Sequence, residues 1–503
     1  MSDHYDVIII GGGSGGCVAA ARLSEDPRRK VLLLEAAPDP QPIPDTIRLA
    51  SARDRVWLET PYVDMVPVVR PVDGSPFRSL AGKIMGGGSS VNAMAWVWPT
   101  RHDMERWVAA GNPDWSWETV HGVLQRIEAD QDFPDDPDHG HAGPVYVKRP
   151  FSLDSDLSPV VRACIDGAAE MGLPRLPDTN IPDPVGVGPG VSNIRDGVRQ
   201  SAVVSHLEPA RGRPNLTVKA EAPVLGLSLS GSRVDGVRYE KDGRIHTDTA
   251  GQVVLAAGAY RTPQLLMLSG IGPAAELERL GIAVTHGLEG VGGNFQDHAV
   301  VHVTFAAATD FEVAWTLSRL RLMARTSPGV DHGDFSASLR PPTRIEGVGT
   351  LLPLSVQLLE QEASGRIRLG SLDARDFPVV DTGLLEDPKD VEKMVAAMEF
   401  LQDLARTSPM REFYGAVRNP APAEDWATFA RSTYDSYHHA SGTCRMGPAE
   451  DPGAVVDQRL RVHGLDNLWV ADASIMPEVT HANTNATVYV IAERLAEFLS
   501  SAA

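Results

Sequence analysis

Apolar and polar positions alternate with a changing period along the chain, and the period marks out its elements. Tyr5 to Ile10 (YDVIII) is a short β-branched run that predicts a buried strand. A glycine turn, Gly11 to Gly16, follows, and Cys17 to Leu23 (CVAAARL) has helical composition. Val31 to Leu34 predicts a second buried strand with Glu35 at its end. Ala36 to Pro44 is a proline-rich loop, and residues 45–80 show no clear period. Helices are expected over Asp103–Ala110, Thr119–Ala129, 158–171, Ser201–Ala210, Asp390–Thr407 and Thr487–Leu499. In Asp390–Thr407 the apolar positions Val391, Met394, Val395, Met398, Leu401 and Leu404 fall on one face. Leu216–Val218, Val224–Leu229 and Arg233–Tyr239 are expected as antiparallel strands. Gln252–Ala257 is expected as a buried strand ending at Gly258. Residues 300–360 predict further strands separated by a helix near Trp315–Ala324. Arg366–Leu369, Val379–Val380 and Leu468–Val470 are shorter strand candidates. The Asp-, Pro-, His- and Gly-rich stretch Asp130–Pro144 is expected as a solvated loop, and residues 172–200 as loops around a site.

The N-terminal pattern carries chemistry. Strand, G-x-G-x-x-G, helix, strand and acid come in that order, with Gly11, Gly13 and Gly16 at the key positions. Gly11 permits the sharp turn, Gly13 lets a pyrophosphate approach the backbone, and Gly16 lets helix and strand pack closely. Ser14 and Gly15 open the helix, whose free N–H groups favour an anion. Glu35, about twenty residues after the last glycine, suits a ribose diol. The motif is a dinucleotide site, equally compatible at this point with NAD or FAD.

The rest of the composition narrows the class. A chain of 503 residues has room for two domains, and 43% hydrophobic with 22% charged residues is ordinary for a globular enzyme. A net charge of −20 argues against nucleic acid and anionic membrane surfaces. Three scattered cysteines, Cys17, Cys164 and Cys444, fit a reduced cytoplasm better than a disulfide framework. Met1-Ser2-Asp3-His4 has no basic leader, and no stretch has the apolar length of a membrane span. The loop at Asp130–Pro144 lacks a recurring ligand spacing, so no metal site is expected.

Four further motifs lie downstream. They are Gly86-Gly87-Gly88-Ser89-Ser90-Val91-Asn92, the run from Gly258 to Gly272 (GAYRTPQLLMLSGIG), and Gly290 to His298 (GVGGNFQDH). The last is a C-terminal pair, His439 to Gly447 (HASGTCRMG) and Asp472 to Pro477 leading to Asn483-Thr484-Asn485. In this order they resemble the glucose–methanol–choline (GMC) family of flavin oxidoreductases. The resemblance implies a mixed α/β fold, a Rossmann-like FAD-binding domain joined to an antiparallel-sheet substrate domain. The expected division is 1–150, 206–297 and 436–503 for FAD, and 151–205 with 298–435 for substrate. It further implies FAD contacts at Gly11, Gly13, Ser14, Gly15, Gly16, Glu35, Ala36, Gly88, Asn92, Ala93, Met94, Ala95, Val224, His438, Asp472, Ala473, Asn483 and Thr484. Relatives that hold FAD covalently use a histidine where this chain has Val91, so noncovalent FAD is expected.

Alcohol oxidation by hydride transfer leaves a hydroxyl proton that a neutral imidazole is suited to remove. The resemblance places that base at His439 and a hydrogen-bonding partner at Asn483, and it tilts the substrate toward a primary alcohol. Oxygen and a quinone or other carrier remain open as the electron acceptor. His438 is expected as a wall of the pocket, His481 behind the site or at the surface, and Cys444 as a small buried residue. A hydroxynitrile-lyase-type reaction on the same scaffold, without net flavin turnover, and an NAD enzyme are the competing readings.

Overall fold

In the computed structural model, which describes residues 3–52, 60–309, 319–421 and 423–501, strand β1 (His4–Ile10) is followed by helix α1 (Ser14–Leu23) and strand β2 (Val31–Leu34). Val7 to Ile10 and Val31 to Leu34 are all at most 2% exposed. An uninterrupted apolar run is what a strand covered on both faces requires. Each such side chain contributes roughly 1.5–3 kcal/mol by leaving water. Helix α2 (Arg101–Ala109) starts at a capping box between Thr100 and Asp103. Strand β3 (Gly186–Pro189) precedes β4 (Leu216–Lys219), β5 (Val224–Ser230), β6 (Arg233–Lys241) and β7 (Arg244–Leu255).

The first sheet has the order β4-β2-β1-β7-β6-β5. Strands β4, β2, β1 and the second half of β7 run parallel, and β7 turns antiparallel to β6 in its first half. Leu216–Lys219 is therefore not part of an antiparallel meander as expected. It pairs in parallel with Val31–Leu34, a partner far away in sequence. Helix α3 (Gly258–Leu268) leaves the end of this sheet.

The second sheet begins with β8 (Ala299–Ala307), β9 (Leu320–Ala324), β10 (Phe335–Leu339) and β11 (Gly349–Leu358). Helix α4 (Pro388–Arg406) packs across it through Met394, Met398, Leu401 and Leu404. Strand β12 (Tyr414–Asn419) completes the antiparallel order β12-β8-β11-β10-β9-β3. The expected helix near Trp315–Ala324 is overturned where it can be seen. Leu320–Ala324 is a strand paired on both sides, and residues 315–318 lie outside the described set. Its helix-compatible composition yields to two ladders of hydrogen bonds. Strand β13 (Leu468–Val470) returns to β7 in the first sheet, and the closing helix α5 (Thr484–Ser501) packs on α1.

Two other expectations shift. Residues 203–207 form a π-turn rather than regular α-helix before Glu208–Ala210. The stretch Asp130–Pro144 is not wholly solvated, because Asp130 and His139 are buried. Arg149 donates to Asp130 (2.7 and 2.6 Å) and to Asp178 (2.9 and 2.7 Å), and the His139 ring lies 3.2 and 3.1 Å from the same two carboxylates. Burial opposes charge on His139, but these acids win and raise its pKa to about 9.

Candidate active site

Both glycine clusters meet at the start of α1. Gly11 adopts φ +102°, and a Cβ at Gly16 would lie 1.8 Å from the Gly11 carbonyl oxygen, so only glycine fits there. Gly86 N–H donates to the Gly12 carbonyl at 2.6 Å, which brings the second cluster against the first. Helix α1 has Gly13 at its N-cap with no side-chain cap and no acid in its first turn. Its first N–H groups remain available to an anion, as a dinucleotide pyrophosphate requires. Ser14 Oγ donates to Asn485 Oδ1 at 2.9 Å, tying α1 to the start of α5. Glu35 accepts from the N–H groups of Gly12 (2.5 Å) and Ala37 (2.7 Å), which holds its carboxylate beneath the turn. Ala222 N–H donates to the Glu35 carbonyl at 2.8 Å, so the segment leading to Val224 lies beside exposed Ala36 at this end of the cradle.

At the other end, Gly88–Val91 is one helical turn, followed by Asn92, Ala93, buried Met94 at φ +58° and Ala95. The Asn92 side chain accepts from Met94 N–H (2.9 Å) and from Arg199 Nη1 (2.8 Å). Arg199, buried and also bonded to the Ile47 and Asn92 carbonyls, fixes this segment and had no signal in its own neighbourhood of sequence. Asp472 accepts from Gly258 N–H (2.9 Å), Thr262 Oγ1 (2.6 Å) and Ser474 N–H (2.8 Å), joining the start of α3 to the turn at Ala473.

His439 and Asn483 are brought together. Asn483 Nδ2 lies 3.1 Å from His439 Nε2, and Thr484 begins α5 directly behind. His439 Nδ1 lies 2.9 Å from His298 Nδ1, with both rings buried. Asp297 Oδ1 accepts the N–H groups of His439 (2.9 Å) and His298 (2.7 Å), and its Oδ2 accepts Ser436 Oγ–H (2.5 Å). The reason for this meeting is sheet pairing: Ala299 at the start of β8 pairs with Ser436. Burial, then His298, holds the His439 pKa well below the ordinary histidine value. Burial also takes His298 down to about 3 and raises Asp297 to about 6. Asp297 and His298 end the GVGGNFQDH motif, which by itself points to no role for either. The signal available was a carboxylate and an imidazole side by side at its end.

Family comparisons agree with this geometry. Models described as GMC oxidoreductase match residues 5–300 and 361–492. The chain belongs to the GMC oxidoreductase family. It is 35% identical to a choline oxidase of Arthrobacter globiformis, over 100% of this chain and 95% of the relative. It is 33% identical to an "Alcohol dehydrogenase [acceptor]" of Pseudomonas putida, over 98% and 95%. The crystal structure of a pyridoxine 4-oxidase from "Mesorbium loti" superposes with a TM-score of 0.91 at 30% identity, covering 98% of each chain. This GMC enzyme is accordingly a FAD-dependent oxidoreductase acting on CH–OH groups, and the paired glycine clusters fit FAD.

Val91 is buried and carries no nucleophilic atom. His438, at φ +66°, accepts from Leu80 N–H at 3.2 Å and donates its own N–H to Ser436 Oγ at 2.8 Å. Burial and Arg78 lower its pKa to about 4. Cys444 is buried and burial raises its thiol pKa, which leaves it a packing residue rather than a nucleophile. His481 is not at the surface. It is 1% exposed, with Nδ1 at 2.5 Å from Asp103 Oδ1.

Proposed function

We propose that this GMC enzyme oxidises a primary alcohol to the aldehyde, with His439 as general base and Asn483 as the group that orients the substrate oxygen. The observation carrying this reading is the 3.1 Å contact between Asn483 Nδ2 and His439 Nε2, at the end of an imidazole pair buried away from water. The substrate hydroxyl enters this pair, donating to His439 Nε2 and accepting from the Asn483 amide. His439 takes the hydroxyl proton, and Asn483 stabilises the developing alkoxide. Bound FAD supplies the acceptor for the carbon-bound hydrogen. Asp297 clamps the His439 backbone, and His298 holds the far side of its ring.

FAD is held without a covalent bond, as Val91 supports. Residues 151–205 and 298–435 form the substrate side, which the second sheet supports. Electrons pass onward to oxygen or to another carrier; the names of the two relatives split between these outcomes. The buried free cysteines support a reducing compartment, the cytoplasm. Among the described residues no helix is long and apolar enough to cross a membrane.

An anaerobic panel of primary alcohols, mixed with the yellow holoenzyme, tests the reading. One or more should bleach the flavin absorbance, and admitting oxygen then shows whether oxygen reoxidises it. Turnover of a cyanohydrin with no bleaching by any alcohol would replace oxidation by lyase chemistry.

A further inference from the structure

Three histidines from distant parts of the chain converge beside the active-site loop. His102 opens α2, His332 lies between β9 and β10, and His481 precedes Asn483. One ring nitrogen from each lies within 4.8 Å of the others. The rings of His102 and His332 stack at 3.6 Å, and both stand nearly perpendicular to that of His481, at 81° and 87°.

Two of the three, His102 and His481, present a ring nitrogen with no hydrogen-bond partner among the described residues. His481 gives Nδ1–H to the buried Asp103 carboxylate at 2.5 Å. That bond fixes the tautomer and leaves the lone pair on Nε2, which is buried and has no hydrogen-bond partner among the described residues. His102 Nε2 is likewise buried without a partner among them. His332 has Glu360 at 3.0 Å on Nε2 and the exposed Asp331 at 3.0 Å on Nδ1. It can keep one carboxylate and turn the other nitrogen to an ion. A carboxylate behind a histidine whose second nitrogen is bare is the arrangement that orients imidazoles on zinc.

We propose that His102, His332 and His481 form a binding site for a divalent transition-metal ion of the zinc class. Tetrahedral zinc with Zn–N bonds of 2.0–2.1 Å needs ligand nitrogens roughly 3.4 Å apart. The present spread of up to 4.8 Å closes by side-chain rotation that fans the stacked His102 and His332 rings toward one point. Asp103 and Glu360 supply negative charge next to the ligands, and a water completes the coordination. Neutral imidazoles suit zinc, copper or nickel rather than magnesium or calcium. The ion joins the start of α2, the β9–β10 connection and the loop carrying Asn483. It ties the FAD portion, which carries His102 and His481, to the substrate portion, which carries His332, and takes no part in the proton transfer assigned to His439.

The test uses untagged, FAD-loaded enzyme stripped with chelator and then titrated with Zn²⁺ by calorimetry, with bound metal counted by mass spectrometry after dialysis. One ion per chain is expected. His102→Ala and His332→Ala should each weaken binding at least tenfold, and the double variant should lose the ion. Asp103→Asn, which keeps an oxygen for the His481 ring, should weaken binding roughly 10–100-fold. Both single alanine changes lie at partly buried positions, and retained FAD absorbance verifies that they fold. If wild-type enzyme holds no more zinc than the double variant, the site does not exist.

Discussion

An amide nitrogen only donates, so the contact from Asn483 Nδ2 makes His439 Nε2 the acceptor, and the ring proton sits on Nδ1 facing His298. In the proposed reaction this is the neutral tautomer that takes the substrate proton. Asn483→Ala should cost about 1.5–3 kcal/mol in kcat/KM, one charge-assisted hydrogen bond, with rates normalised to bound FAD. A loss below twofold would remove Asn483 from the reaction. Asp297 acts one step back, through backbone N–H groups rather than on substrate. Asp297→Asn keeps an acceptor and should leave kcat within about tenfold of wild type. Asp297→Ala leaves two buried N–H groups unpaired, at about 1–3 kcal/mol each, and should lower kcat further while also destabilising the fold. Equal kcat in the two variants would show that the clamp does not position the base. The contact between His439 and Asn483 was foreseeable from the sequence because local motifs carry both residues; their roles remain the proposal. His298 and Arg199 were not legible as partners, since each acts on a residue more than a hundred positions away.

At the scale of elements, the glycine turn was readable because each glycine answers a local geometric demand. Gly16→Ala would drive a methyl into the Gly11 carbonyl and should abolish FAD retention and lower solubility. Gly122→Ala, in the middle of the helix Trp117–Ile127 with nothing within 4 Å of its Cβ position, is the matched control. It should stabilise by about 0.5–1 kcal/mol. Thermal melts and the flavin-to-protein absorbance ratio check both; a flavin-loaded Gly16→Ala enzyme would contradict the packing. Direction of pairing was less readable. Leu216–Lys219 reads as a strand from composition, but its parallel partner is fixed by the layout of the whole sheet. Leu320–Ala324 misled for a related reason: Leu, Arg, Met and Ala are good helix formers, and only the strands on either side override them.

On the scale of the whole molecule, folding gathers groups that no spacing connects: the two glycine clusters, His298 with His439, and the three histidines at α2. It also buries charge deep in the core. Trp96 and Trp98 both donate their indole N–H to Glu128 Oε1 at 2.5 Å, and burial raises the Glu128 pKa from 4.5 to about 7. A folded-state pKa above the unfolded one means that the folded chain binds the extra proton. Stability from this group is fully present below pH 4.5 and is lost as pH rises through about 7. Glu128→Gln keeps an oxygen for both indoles and removes this slope. Its stability relative to wild type should rise by about 3 kcal/mol between pH 4.5 and 8, read by denaturant unfolding. Parallel curves for the two proteins would show that Glu128 titrates normally.

The assignment of His439 is tested most directly by the rate of flavin reduction under anaerobic conditions, with a reactive alcohol, across pH. Because burial and His298 hold His439 neutral, the wild-type rate should stay flat through neutral pH and fall only below the ordinary histidine range. His439→Ala should retain FAD, reduce it at least about a hundredfold more slowly and lose that acid limb. A His439→Ala enzyme that bleaches at the wild-type rate with the same pH profile would contradict the account.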